Sequence, residues 1–368
     1  MTVDPQRGVL VVGHICVDLQ PSFSAAPSMV PGDLFATGPL TISSGGSVAN
    51  TAGALRVLGI PVTVAADVGD DVLGTVVGPL LSRLGLDTSG IRTVRGTTSY
   101  SVVVQPPGVD RTFWHHGGVN TSFDGSAVDL RHGARGLPDA PALLHVGYPS
   151  LLPALVGEDG APLAALLDRA RDAGLATSLD LAVVSGPDDA SRAHWQRVLD
   201  RVLPQVDICS PSRDDLVSAV GRVAPVCDAS DDDADGDDPG IELQRWASWL
   251  VDRGVAIAVV SGGADGFAVA TADAARFASV PMLAGLQQSW HTRSFTAPAL
   301  PTGDAALATT GAGDAATAGL IAGILSGRTP HEAIALAADT AVRRIRGSLF
   351  EHPAPDELRP AAATIDAR

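Results

Sequence analysis

Ala308-Thr309-Thr310-Gly311-Ala312-Gly313-Asp314, continued by a small, apolar run over 315–325, reads as a loop feeding a helix. Two glycines one residue apart strip side chains from the turn, so consecutive backbone N–H groups can point at an anion held over the positive end of the helix. Asp314 then enters in the first turn, where the helix dipole favours an ionised carboxylate. An anion cradle beside a fixed base suits phosphoryl transfer to a hydroxyl, because the protein mainly positions the nucleophile and neutralises spreading charge. The pattern marks Asp314 as a candidate base, Gly311, Ala312 and Gly313 as a candidate anion hole, and Thr310 as a phosphate neighbour. Two other readings stay open here. One is a structural glycine turn; the other is the relaxed dinucleotide pattern G-x-G-x-x-G/A, met by Gly311, Gly313 and Ala316. A dinucleotide fingerprint opens the first strand-helix unit of its fold, whereas this one comes late, with helical sequence after it. The lysine-bearing loop G-x-x-x-x-G-K-[ST] is absent from the sequence.

A second segment points the same way. Gly45-Gly46-Ser47-Val48-Ala49-Asn50 leads into an apolar helical pattern that stops at Gly59, and its asparagine and backbone amides suit a polyol. Upstream, an apolar strand at 9–12 passes through Gly13 to Asp18. Downstream, a strand at 62–67 runs into Gly69-Asp70-Asp71, and 98–105 alternates polar and apolar residues before Gly108 and Arg111. Then come His145-Val146-Gly147, Leu179-Asp180, Ser212-Arg213-Asp214-Asp215 and Ser261-Gly262-Gly263-Ala264-Asp265-Gly266.

In this order the segments resemble, over most of the chain, the ribokinase-like carbohydrate kinases of the phosphofructokinase-B type. The resemblance implies a three-layer α/β/α domain with a mainly parallel central sheet, plus a small β-sheet lid built from about 16–44 and 96–120. It implies ATP-dependent phosphorylation of a hydroxyl on a sugar or small polyol, a nucleoside being the alternative acceptor, with ATP and Mg2+ as cofactors. By the same resemblance Asp18, Gly45, Gly46, Ser47 and Asn50 hold the acceptor, while Arg111, after a glycine turn in the lid, is read either as bonding a polar substrate group or as a surface salt bridge. Ser212, Ser261, Gly263, Gly266, Thr310 and Gly313 meet ATP, Asp215 reaches magnesium through water, and the last helix, 333–346, walls the adenine pocket. The Gly-Asp-Asp turn at 69–71 is assigned to structure, and pairing through the lid edges implies a homodimer. Three departures stand out. Ser212 and Asp215 replace the usual Asn-x-x-Glu, Asp180-Leu181-Ala182 replaces Asp-Pro-Asn, and Ala308 stands where many relatives carry an aspartate for a monovalent cation. Potassium activation is therefore not expected. The altered pair also keeps open a sugar- or nucleoside-binding sensor that has lost catalysis.

Composition narrows the class. A chain of 368 residues, 45% hydrophobic, can bury a large core, and a single kinase domain over 1–368 is expected. A net charge of −16 argues against nucleic acid and anionic membrane, since a phosphate backbone wants clustered Lys and Arg. Cys16, Cys209 and Cys227 are scattered and lack metal spacing, which fits a reducing cytoplasm. No signal peptide or membrane-spanning stretch is read. Strands are expected at 9–12, 62–67, 143–146, 176–180, 208–210 and 255–261, and helices at 47–58, 162–173, 190–202, 214–220, 244–253, 314–325 and 329–346. An acidic surface insertion is expected at 227–240. Its Asp231, Asp233, Asp235, Gly236 and Glu242 fit a calcium-loop register, but Asp238 takes a position that wants an apolar residue and Pro239-Gly240 disturbs the exit. Trp246 and Trp249 are read as core, His14 as a strand-end residue near the sugar pocket, and His115 and His116 as part of the lid.

Overall fold

Short β-branched runs alternating with alanine- and leucine-rich stretches leave each strand apolar on both sides, so the sheet they form must be covered on both faces. The computed structural model describes residues 8–28, 30–108, 111–131, 141–184, 186, 188–221, 238–303 and 310–350. It opens with β1 (Val9–Gly13), β2 (Cys16–Pro21), β3 (Leu40–Gly45), α1 (Ser47–Val57), β4 (Val62–Gly69) and α2 (Val72–Arg83). Next come β5 (Ile91–Val94), β6 (Tyr100–Val104), β7 (Thr112–His116), β8 (Leu143–Gly147), α3 (Pro153–Asp172) and β9 (Ala176–Asp180). The chain continues through α4 (Asp189–Val202), β10 (Ile208–Cys209), α5 (Arg213–Val220), α6 (Pro239–Asp252), β11 (Ile257–Ser261) and β12 (Phe267–Thr271). It closes with α7 (Ala274–Ala278), α8 (Gln287–Trp290), β13 (Ser294–Ala297), α9 (Ala312–Leu325) and α10 (Pro330–Ile345).

Nine strands make the large sheet in the order β13-β12-β11-β10-β9-β8-β1-β4-β5. All neighbours are parallel except β12, which runs antiparallel to both β11 and β13. Alternation along β1 shows the three layers. Val9 and Val11 join the core formed with α1, α9 and α10, while Leu10 and Val12 join the opposite core with α3, α4 and α6. Trp246 and Trp249 belong to that second core, their rings 5.6 Å apart edge to face. The smaller sheet has the order β3-β2-β6-β7. The 69–71 turn is structural, as expected. Asp71 caps α2 by accepting from Gly74 N, and also takes Thr98 N and Oγ1, which ties the entrance of β6 to that turn.

The expected strands and helices all form, within two residues at their ends except at the starts of α3 and α6. Differences lie where the pattern is short or broken. Helix α2 carries Gly78-Pro79 inside it, and β5, β12 and β13 are too short to show a period. Helix α3 starts nine residues before the expected Pro162, but Gly157 to Gly160 leave helical geometry, so Pro162 does open its second half. Helix α6 begins at Pro239, with Asp238 accepting from Gly240 N as its cap, so 239–240 belongs to the helix and not to the acidic insertion. Of the calcium-loop residues only Glu242 is described; it sits in the first turn of α6, 3.7 Å from Arg213. The rest of that reading, and Cys227, lie outside the described residues. Cys16 and Cys209 are buried free thiols. Among the described residues no helix is long and apolar enough to cross a membrane.

Helix α9 has no polar face. Every residue from Asp314 to Leu325 is buried, as a helix running between other elements requires. Its neighbour α10 approaches so closely that a Cβ added at Gly319 would lie 2.7 Å from Ala337 Cα. Gly319→Ala should therefore force the two helices apart and lower stability by about 1–3 kcal/mol, measured as a shift in the urea midpoint. An unchanged midpoint would mean that this contact is looser than described.

Candidate active site

Gly311 takes the left-handed conformation, φ 74°, which glycine enters without the Cβ clash other residues meet there. This turn starts α9 at Ala312. The first helical hydrogen bond runs from Ala315 N to Gly311 O at 3.0 Å, so the amides of Ala312, Gly313 and Asp314 precede it, free of helical partners. Gly313 is exposed, and with Ala312 it forms part of the wall of a cleft of about 630 Å³. Ser261 and Gly263 face it from the end of β11, and Ala341 and Ile345 from α10. The walls are mostly apolar, and the volume suits a ligand of nucleotide size.

Asp314 lies behind those amides, wholly buried. Its cover is polar. Thr51 Oγ1 donates to Oδ1 at 2.9 Å, and Asn50 Nδ2 and Tyr148 Oη donate to Oδ2 at 3.1 and 2.6 Å. Burial pushes the carboxyl above its ordinary range, while these three hydrogen bonds and the charge of Arg344 favour the ionised form. Tyr148 follows β8, at the carboxyl end of the parallel sheet, and holds φ 59°, an uncommon conformation for an aromatic residue. Burial and the charges of Asp314 and Asp180 push its hydroxyl well above the usual phenol range, so it remains a donor.

Asp18 projects from β2, and its carboxylate lies over Gly45. Burial pushes it up to about 6, against the pull of the hydrogen bond from the Cys16 thiol and of the Arg344 charge. Gly46 is the N-cap of α1 and abuts the carbonyl and Nδ1 of His14. His14 is buried, with neither ring nitrogen hydrogen-bonded among the described residues. Burial, helped by His115, lowers its pKa to about 3, so the ring is neutral. The His115 ring, from β7 of the smaller sheet, is 5.2 Å away. Arg111 precedes β7, its guanidinium 5.5 Å from the Phe113 ring. Ser47 is buried against Gly147 of β8, and among the described residues its Oγ has no hydrogen-bond partner.

Other expected ATP and metal residues have defined structural work. Ser212 and Asp215 form a capping box at the start of α5: Asp215 N donates to Ser212 Oγ at 3.1 Å, and Ser212 N to Asp215 Oδ2 at 2.8 Å. Gly266 makes the turn between β11 and β12, where a Cβ would strike the Ala297 carbonyl, and it is not part of the cleft wall. Thr310 is half-buried beside Gly311, while Ala308, and with it the potassium reading, falls outside the described residues. Among the described residues no three His, Cys, Asp or Glu side chains converge as metal ligands. Negative charge nevertheless gathers here. Burial and the neighbouring Asp215 and Asp314 push Asp180 well above the usual carboxyl range. Asp180 and Asp215 are buried carboxyl groups, and oxygen donors of this kind are those magnesium prefers.

Sequence reasoning brought Asp314, Asn50 and Asp18 into one region and missed Thr51, Tyr148 and Arg344. Thr51 adjoins a residue already singled out, and Tyr148 stands just past a buried parallel strand, where ligand sites of such sheets lie. Arg344 gave no signal, since Arg343, Arg344 and Arg346 together read as basic residues at a helix C-terminus.

The architecture is shared with solved proteins. Ribokinase of Thermotoga maritima is 14% identical with a TM-score of 0.64, over 92% of this chain and 93% of that one. Arabidopsis thaliana ribokinase, solved with ribose and ATP, is 19% identical with a TM-score of 0.61, over 94% and 99%. The nucleoside kinase of Burkholderia thailandensis, solved with inosine, is 16% identical with a TM-score of 0.59, over 93% and 96%. At such identities the likeness is one of fold. Residues 6–355 match the pfkB family carbohydrate kinase, and this chain, with its glycine turn and aspartate at the head of α9, belongs to that family.

Proposed function

We propose that this protein transfers the γ-phosphate of ATP to a hydroxyl of a sugar or related small polyol. The observation that carries the reading is the junction at the head of α9. Amides free of helical partners border a nucleotide-sized cleft, and directly behind them a carboxylate is bonded to Asn50 of the proposed acceptor loop.

Asp18, Gly46 and Asn50 hold the acceptor, and the smaller sheet, as a lid carrying His115 and Arg111, excludes water over it. The acceptor hydroxyl takes the place of the Tyr148 hydroxyl or the Asn50 amide at Asp314 Oδ2. This exchange trades one hydrogen bond for another, so the polar cover can open at little cost. Asp314 receives the hydroxyl proton as the new bond to phosphorus forms. The amides of Ala312 and Gly313 meet the charge on the transferred group. Asp180 and Asp215 would hold magnesium through water, and the ion would supply charge neutralisation to the phosphates. Thr310, Ser261 and Gly263 border the nucleotide on this reading, and Ala341 and Ile345 wall its base. The buried free thiols and the use of ATP suit a reducing cytoplasm. The exposed Phe113 and Trp114 on the β7 edge suit a homodimer through the lid. A ligand-binding sensor is the second reading, favoured by the commitment of Ser212 and Asp215 to a helix cap.

Asp314→Asn tests the base. Thr51 and Tyr148 can turn their hydroxyls to suit the amide, so the fold should hold while kcat falls at least about a hundredfold. Near-normal turnover in an ADP-release assay would remove Asp314 from the role. Asp18 supplies a pH test. As a carboxylate it accepts sugar hydroxyls, and it gains a proton as pH falls through about 6, so acceptor KM should rise below that point. The step should vanish in Asp18→Asn. A KM that stays flat between about pH 7.5 and about pH 5 would rule out Asp18 as an acceptor ligand.

A further inference from the structure

Arg344, near the end of α10, turns toward the glycine turn at the head of α9. A Cβ placed on Gly311 would lie 3.1 Å from Arg344 Nε and 3.2 Å from Asn50 Cγ, so the guanidinium borders the anion-hole turn and the acceptor loop together. Its central carbon sits 5.3 Å from the Phe350 ring, which holds it from one side. Its Nε is buried and, among the described residues, has no hydrogen-bond partner. Thr51, Asn50 and Tyr148 donate to the Asp314 oxygens, and Arg344 is not among those donors. The charge of Arg344 is felt at Asp314, Asp18 and Tyr148, and Arg111 from the smaller sheet repels it. A neutral sugar offers this buried cation hydroxyl groups alone, whereas an anion offers opposite charge as well as acceptor oxygens.

We propose that Arg344, assisted by Arg111, binds an anionic group on the acceptor, so that the substrate is a sugar phosphate or a sugar acid and not a neutral sugar or a nucleoside. This rests on the kinase reading above and narrows its substrate class. The anion in question is on the acceptor and is not the transferred phosphoryl group. The nucleotide cleft is lined from α10 by Ala338, Ala341, Val342 and Ile345 and not by Arg344, which stands beside Asn50 of the acceptor loop and feels the charges of Asp314, Arg111 and Asp18. A chain of net charge −16 repels anionic substrates at long range, so a local pair of arginines is what an anionic acceptor would need. The guanidinium fork pairs with two oxygens of either a carboxylate or a phosphate.

The test compares matched acceptors in an ADP-release assay: fructose with fructose 6-phosphate, glucose with gluconate, and adenosine as the nucleoside. Fructose 6-phosphate or gluconate should show kcat/KM at least about tenfold above its neutral counterpart, and which of the two responds identifies the anion as phosphate or carboxylate. Arg344→Met should raise KM for that acceptor at least about tenfold with a smaller change in kcat, and Arg344→Lys should restore part of the loss. A preference for fructose, glucose or adenosine in the wild type overturns the inference and leaves the kinase reading standing. Equal loss of kcat on every acceptor in Arg344→Met, with KM unchanged, also overturns it, by assigning the arginine to the transferred group. Calorimetry without ATP separates the two readings. Binding of fructose 6-phosphate or gluconate that Arg344→Met abolishes, with no ADP released from any acceptor, sinks the kinase reading and supports the anion site. Should the methionine variant fail to fold, the wild-type preference and the lysine variant still decide.

Discussion

A buried carboxylate is costly unless donors surround it, and the site of this protein is organised around meeting that requirement at Asp314. The three donors come from two distant stretches of chain. Asn50 and Thr51 lie in the first turns of α1, and Tyr148 lies just past β8. Satisfying one side chain of α9 therefore fixes where α1 begins and how the chain leaves the sheet at β8. Tyr148 accepts a left-handed backbone to do so, a strain of about 1–3 kcal/mol that the surrounding structure must offset. The same carboxylate gains from its place at a helix N-terminus, whose amides leave positive charge on the cleft side.

That arrangement needs α9 to be held without play, and its packing provides this. The helix is buried all round and meets α10 through Gly319 and Gly323, where the two backbones approach too closely for larger side chains. One consequence is that both helices serve the site at once. The head of α9 presents the amides and the carboxylate, while α10 supplies the apolar wall of the cleft and, from an adjoining position, Arg344. Charge is distributed accordingly. Asp180 feels the charges of Asp215 and Asp314, and Arg344 feels those of Asp314, Arg111 and Asp18.

Spacing in sequence is an ambiguous guide where two physical uses share one pattern. Ser212-Arg213-Asp214-Asp215 is a case. A serine followed three residues later by an acid is also the signature of a helix start, and in the folded chain the pair makes that capping box. Gly266 is another, since the glycine-rich turn after β11 contains one glycine that borders the cleft, Gly263, and one that spares a collision with β13. Asp71 was legible in its local use, as the cap of the helix that follows it, and not in its hold on Thr98. The burial of Ser47 against Gly147, in contrast, depends on a strand about a hundred residues further along the chain.

From residues alone one could read the alternation that demands a doubly covered sheet, the glycine turn ahead of Asp314, and the polar loop ending in Asn50. These are legible because each is a local rule: period, backbone freedom, and the preference of a short polar segment for a helix start. The fold alone decided which distant groups meet. That Tyr148 closes over Asp314, that His14 lies buried beside Gly46, and that one arginine of three in 343–346 turns inward all depend on the packing of α1, α9 and α10 around β1 and β8. Such meetings follow from close packing in three dimensions, and a one-dimensional pattern carries no term for the distance between side chains far apart in the chain.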